Sequence, residues 1–222
     1  IKEGVFFMSR AKKITLIAAV AAMAIVLTAI IRFPITSLPF LKYDPKDVIL
    51  TTAGFIFGPL VAILAAVIEV VVEMVTFSES GPWGALMNII ATLSFSGIAA
   101  AIYHRKRTTK GAVLSLVCAV LSLTVVMALW NLVVTPIYTG FPRAEVIKLM
   151  PVIIPFNLIK GGVNAALIIL LYKPIKSALA GAGLTEEVSS EKNATWTTIK
   201  MVSFVVLLAL IALIVYMRGG IK

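Results

Sequence analysis

The sequence holds one cysteine, Cys118, and one histidine, His104, so no disulfide framework and no cysteine–histidine metal cluster can be drawn from it. Cys118 lies within an apolar run. His104 sits beside the basic "RKR" at a helix end, a poor place for a catalytic imidazole. Charge is scarce too, at 14% of residues, and acidic residues number only 10 against 20 basic ones. The sequence has no Walker A loop, no HExxH, no GxSxG and no paired-aspartate motif of a lipid phosphotransferase. An ATP-driven process would therefore need other subunits. No inverted repeat of the transporter kind is evident either.

What the chain has in excess is apolar length. Its 222 residues are 60% hydrophobic, and the mean hydropathy is +1.06. A soluble domain cannot cover itself with so few polar residues. Ile14–Ile31, Gly84–Tyr103, Gly111–Phe141 and Met201–Met217 contain no Asp, Glu, Lys or Arg. Such runs match the ~20 residues that carry a helix across a bilayer, and they do not suit the short alternating strands of a transmembrane barrel. The fold class is all-α, an integral membrane protein. The net charge of +10 then fits basic cytoplasmic loops rather than nucleic-acid binding.

Seven apolar segments are expected: Ile14–Ile31, Val48–Phe57, Leu60–Phe77, Gly84–Tyr103, Gly111–Pro136, Met150–Tyr172 and about Trp196–Met217. Residues 8–176 read as a six-helix core, 177–195 as a cytoplasmic linker and 196–218 as an additional transmembrane helix. Arg10, Lys12 and Lys13, then Arg105, Lys106, Arg107 and Lys110, then Lys173 and Lys176 fall on one face if the short second segment counts as a crossing. That face is expected to be cytoplasmic, with the N-terminus on it. Residues 32–47, 78–83 and 137–149 are then external.

The second segment is too short to span alone, since ten helical residues rise only ~15 Å. It follows the loop "LPFLKYDPKDV" and ends at Gly58-Pro59. A half-length helix beneath a proline-stiffened loop is a natural way to build a pocket on the outer side.

Polar side chains inside apolar segments are costly and favour an interior or a cavity. Asn157, Lys160 and Asn164 share one helix face, and Lys160 lies ~20 Å outward of Lys173 along that helix. Asn131 stands at a similar depth in the fifth segment. Asn131, Asn157 and Lys160 can meet beneath the loop. Asn presents donors and an acceptor to an amide- or imide-like edge, and a buried Lys needs an acceptor or anion nearby. The same groups could instead hydrogen-bond between helices, the role expected for Asn164. Glu69 and Glu73 share a face at i, i+4. They admit a paired-acid chemistry, but the plainer expectation is that Glu73 snorkels outward while Glu69 pairs with a lysine. Gly81, Pro82 and Gly84 read as a tight external turn carrying Trp83 at the interface. Phe40, Tyr43, Tyr138 and Phe141 complete an external aromatic set. Ala18 and Ala22 form a small-xxx-small pair suited to close helix packing.

"FLKYDPKDV", "FGPLVAIL", "GPWGALMN", "NLVVTPIY" and "IPFNLIKG" occur in the order found in one family. Over about residues 11–176 the chain resembles the riboflavin-specific (RibU-type) S components of energy-coupling factor (ECF) transporters. The resemblance implies a six-helix membrane subunit, not an enzyme and without a cofactor, that captures riboflavin at the outer face of the plasma membrane. The first external loop would close over the vitamin. The subunit would work with an ECF module of one transmembrane T subunit and two ATP-binding subunits, and topple in the membrane to release its cargo. Carried over by motif, ligand contacts fall on Asn131, Asn157 and Lys160, with Leu41 and Asp47 from the loop. Tyr43, Trp83, Tyr138 and Phe141 would stack on or cap the flavin ring. Ala18 and Ala22 would meet the T subunit. The seventh helix departs from the family's pattern. Two alternatives stand beside this reading: an S component for another vitamin, and an intramembrane enzyme using Glu69 and Glu73.

Overall fold

A computed structural model describes residues 9–36, 38, 41–77, 81–185 and 194–219. The chain is helical almost throughout, and among the described residues six helices are long and apolar enough to cross a membrane. Helix α1 (Arg10–Ile30) is capped by Ser9, whose hydroxyl accepts from the Lys12 amide. A two-residue antiparallel ladder follows, β1 (Phe33–Pro34) with β2 (Lys42–Tyr43), pairing Phe33 with Tyr43 and Pro34 with Lys42. Pro45 starts the short α2 (Lys46–Phe57), and Gly58, at φ +100°, turns the chain into α3 (Pro59–Thr76).

The next span is one continuous rod, α4 (Gly81–Thr92) and α5 (Ile98–Arg105), joined by a π turn at Leu93–Gly97. Gly81, Pro82 and Gly84 therefore form the first turn of α4 rather than a free turn. The fixed φ of a proline suits the opening of a helix, and Gly81 supplies the φ of +56° at its start. Helix α6 (Thr109–Val133), capped by Thr108, continues through α7 (Thr135–Thr139). Helix α8 (Arg143–Gly181) carries Pro151, Pro155 and Pro174 inside it and runs well beyond the expected Met150–Tyr172. It absorbs residues 143–149 of the expected external loop and the first residues of the stretch read as a linker. Helix α9 (Ala194–Gly219) closes the chain.

Small residues let these rods approach. A Cβ on Gly54 of α2 would stand 2.7 Å from the Ala100 Cβ of α5, so only glycine allows this crossing. Ala21, Ala24, Ala53, Val61, Ala65 and Ala66 form one buried seam among α1, α2 and α3. A second core joins Val48 and Phe55 of α2 to Phe95, Leu116, Leu123, Trp130 and Ile168. In the third, Ile35, Leu41 and Tyr43 of the first loop pack on Ile153, Phe156, Ile159 and Val163 of α8. The loop is thus not draped over the bundle but seated in it.

That seating explains the short helix. At its start, α2 lies level with the loop's contacts on α8. At its end, Gly58 lies beside His104, the neighbour of the basic run Arg105–Arg107. Twelve residues cover ~18 Å, which suffices because the loop has already descended to meet them.

Candidate functional site

Two groups of buried charge lie where the loop enters the bundle. In the first, Lys46 of α2 places its Nζ 3.1 Å from Glu69 Oε2 and 3.1 Å from Glu73 Oε2. Arg32 donates to Glu73 Oε1 at 2.8 Å, and Asn88 Nδ2 donates to Glu73 Oε2 at 3.0 Å. Glu69 pairs with a lysine as expected, but Glu73 does not snorkel: it is buried and held by three donors. Its partners lie inside the bundle, so exposing the carboxylate would abandon them for a lipid boundary. The two glutamates anchor the start of α2 and the end of α1 to α3.

In the second group, Lys160 of α8 donates to Asp44 Oδ2 at 2.9 Å. The neighbouring Tyr43 hydroxyl donates to Asn164 Oδ1 at 3.0 Å. Lys160 is 9% exposed and Asp44 6%. Burial alone would raise the Asp44 carboxyl, but the ammonium groups of Lys160 and then Lys46 outweigh it and hold the acid below its ordinary range. Consecutive loop residues therefore bind consecutive turns of α8. Asn164, expected to hydrogen-bond between helices, instead takes its partner from the loop.

The expected site residues fall into three sets. Leu41, Tyr43, Asn157 and Lys160 come together where the loop meets α8, with Leu41 and Tyr43 buried in that apolar seam. Asn157 Nδ2 donates to the Ile153 carbonyl at 2.9 Å, and Asn131 Nδ2 donates to the Met127 carbonyl at 2.8 Å. Each asparagine so spends one amide hydrogen on its own helix, which fixes the direction of the rest of the group. Asn131 also accepts from Thr135 at 3.2 Å. Asp47, in the first turn of α2, accepts from Thr92 at 2.9 Å and is fully buried. Ser96 of the π turn accepts from Thr51 at 2.8 Å beside it.

The second set is aromatic. Trp83 and Tyr138 stack with ring centroids 5.6 Å apart and planes 15° from parallel. Both are partly exposed, and Phe141 more so. Tyr43 stands apart from them, tilted on Phe33 at 5.6 Å. Phe40 lies outside the described residues. The third set is Ala18 and Ala22, both exposed on α1 and turned away from the buried Ala24.

Arg32, Asp44 and Lys46 were missed as site residues. The signal was present: four charges in "KYDPKD" straddle the start of a helix whose successor carries two carboxylates on one face.

Residues 12–172 match the family described as "ECF transporter, substrate-specific component". The chain is 37% identical over 180 residues to the riboflavin transporter RibU of Staphylococcus aureus (strain TCH60), covering 78% of this chain and 94% of that one. It is 30% identical over 178 residues to the riboflavin transporter FmnP of Bacillus subtilis (strain 168), covering 75% and 93%. A solved structure of the S component of a bacterial ECF transporter superposes with a TM-score of 0.67 at 36% identity, covering 77% of this chain and 99% of that one. Helix α9 lies beyond the residues that match the family.

Proposed function

The chain belongs to the substrate-specific (S) components of ECF transporters, and from that premise we propose that it is the riboflavin-capturing membrane subunit of such a transporter. It binds the vitamin at the outer face of the plasma membrane and delivers it inward with an ECF module. It carries out no catalysis of its own. The observation that carries this reading is the seating of loop residues Leu41–Asp44 on the Asn157–Lys160 turns of α8. A lysine, an asparagine and an apolar roof are gathered there at one depth, suited to a flat ligand with a polar edge. Asn131 and Asp47 extend the polar lining, while Trp83, Tyr138 and Phe141 supply flat surface nearer the exterior.

The outward, exposed placement of Ala18 and Ala22 supports a contact with the transmembrane T subunit, whose two ATP-binding partners supply the energy this chain cannot. The basic clusters support a cytoplasmic N-terminus. The helices up to the end of α8 then act as the binding core, with residues 182–193 as a cytoplasmic linker to the extra helix.

The test is an absorbance spectrum of protein purified in detergent from cells grown with riboflavin. The expected result is bound flavin, released on denaturation and identified as riboflavin by chromatography. A folded protein that carries no flavin and does not quench added riboflavin would overturn the reading.

A further inference from the structure

Two buried polar atoms beside Lys160 have no hydrogen-bond partner. Asp44 gives Oδ2 to the ammonium, but its Oδ1 accepts from nothing. Asn164, 0% exposed, takes the Tyr43 hydroxyl on Oδ1, while its Nδ2 donates to nothing. Tyr43 and Asp44 are consecutive in the loop, and Lys160 and Asn164 are one turn apart on α8. An unmet acceptor and an unmet donor thus lie on adjoining latches of the same loop. Buried groups of this kind are costly unless something arrives to satisfy them.

The chemistry of the arriving group follows from the ion pair. Lys160 has three ammonium hydrogens, of which Asp44 takes one. The pair therefore offers a donor beside an acceptor with no net charge. A carboxylate or phosphate would meet the aspartate's repulsion, and an ammonium would meet the lysine's. A carbonyl next to an N–H satisfies both without bringing charge into a low-dielectric site. The flavin ring carries such an imide edge.

We propose that Asp44 is a specificity-determining residue: its Oδ1 accepts the imide N–H of the flavin ring while Lys160, held by Oδ2, donates to the adjacent ring carbonyl. This rests on the riboflavin reading. Asp44 then does more than neutralise Lys160, and the loop reads the ligand as well as covering it.

The experiment is fluorescence-quenching titration of the full chain in detergent with riboflavin and with 3-methylriboflavin, whose imide nitrogen has no hydrogen. The intact protein is expected to favour riboflavin by at least about tenfold, the worth of a hydrogen bond to a charged group. In Asp44→Asn the preference is expected to shrink to about twofold or less. Should that variant fail to fold, Asp44→Glu keeps a carboxylate to pair with Lys160 while displacing the free oxygen by one methylene, and serves the same comparison. Equal binding of both flavins by the intact protein overturns the proposal. So does a tenfold preference that survives the loss or displacement of the Asp44 carboxylate, because the imide is then read elsewhere. An intact protein that quenches neither flavin overturns the riboflavin reading and this assignment with it.

Discussion

At the scale of single residues, the entry of the loop is governed by charge that has been taken out of water and matched. Lys46 stands within 3.1 Å of two glutamates, and Glu73 also draws on Arg32 and Asn88. Removing one member leaves its partners charged and buried, which costs far more than the pair itself contributes. Lys46→Met is expected to destabilise the protein by about 3–5 kcal/mol, read as a fall in the thermal midpoint in detergent. Adding Glu69→Gln should recover part of that loss; a double variant no better than the single one would contradict the pairing. The surface pair Lys148–Glu145, 2.7 Å apart but exposed, should be nearly silent to the same treatment. The sequence disclosed Asn131, Asn157 and Lys160 because polar atoms stand out in an apolar run. It hid Asp44, Lys46 and Arg32 because loop charges look ordinary until a neighbouring helix supplies their counterions.

At the scale of elements, legibility followed apolar length. Long runs announced their own helices, and the short α2 betrayed itself through Gly58-Pro59. The boundaries of α4 and α8 did not show, because proline and glycine signal turns in water but are tolerated at helix starts and inside spans. The close crossing of α2 and α5 at Gly54 gives a direct test. Gly54→Val would drive a branched side chain into Ala100 and is expected to cost at least about 1–3 kcal/mol, with riboflavin affinity falling as α2 shifts. A variant with the original midpoint would contradict that packing. Helix α9 leans on α8 through Leu207 and Ile214, and Trp196 packs on Tyr172 beneath Lys173. Leu207 and Ile214 belong to the apolar cluster that also buries Leu41 and Tyr43, so what they add there is apolar packing. A chain ending at residue 185 is expected to bind riboflavin within about twofold of the intact protein, though with a lower thermal midpoint. Loss of binding there would make α9 part of the site.

At the scale of the whole molecule, two regions are held apart. The loop, the buried charge and the Trp83–Tyr138 stack gather at one end of the bundle, and the basic run at 105–107, Lys173 and the start of α9 gather at the other. Ala18 and Ala22 lie on a third, lateral face, so contacts made there need not disturb the vitamin. Replacing both with leucine is expected to leave riboflavin affinity unchanged and to abolish uptake in cells that supply the ECF module; lost affinity would contradict a partner role. The central claim is that the flavin sits where the loop meets Lys160. The most direct measurement is a riboflavin quenching titration of the intact protein beside Lys160→Ala, both shown to be folded by size-exclusion chromatography. The account predicts submicromolar binding for the intact chain and at least about tenfold weaker binding for the variant; equal affinities would place the vitamin elsewhere.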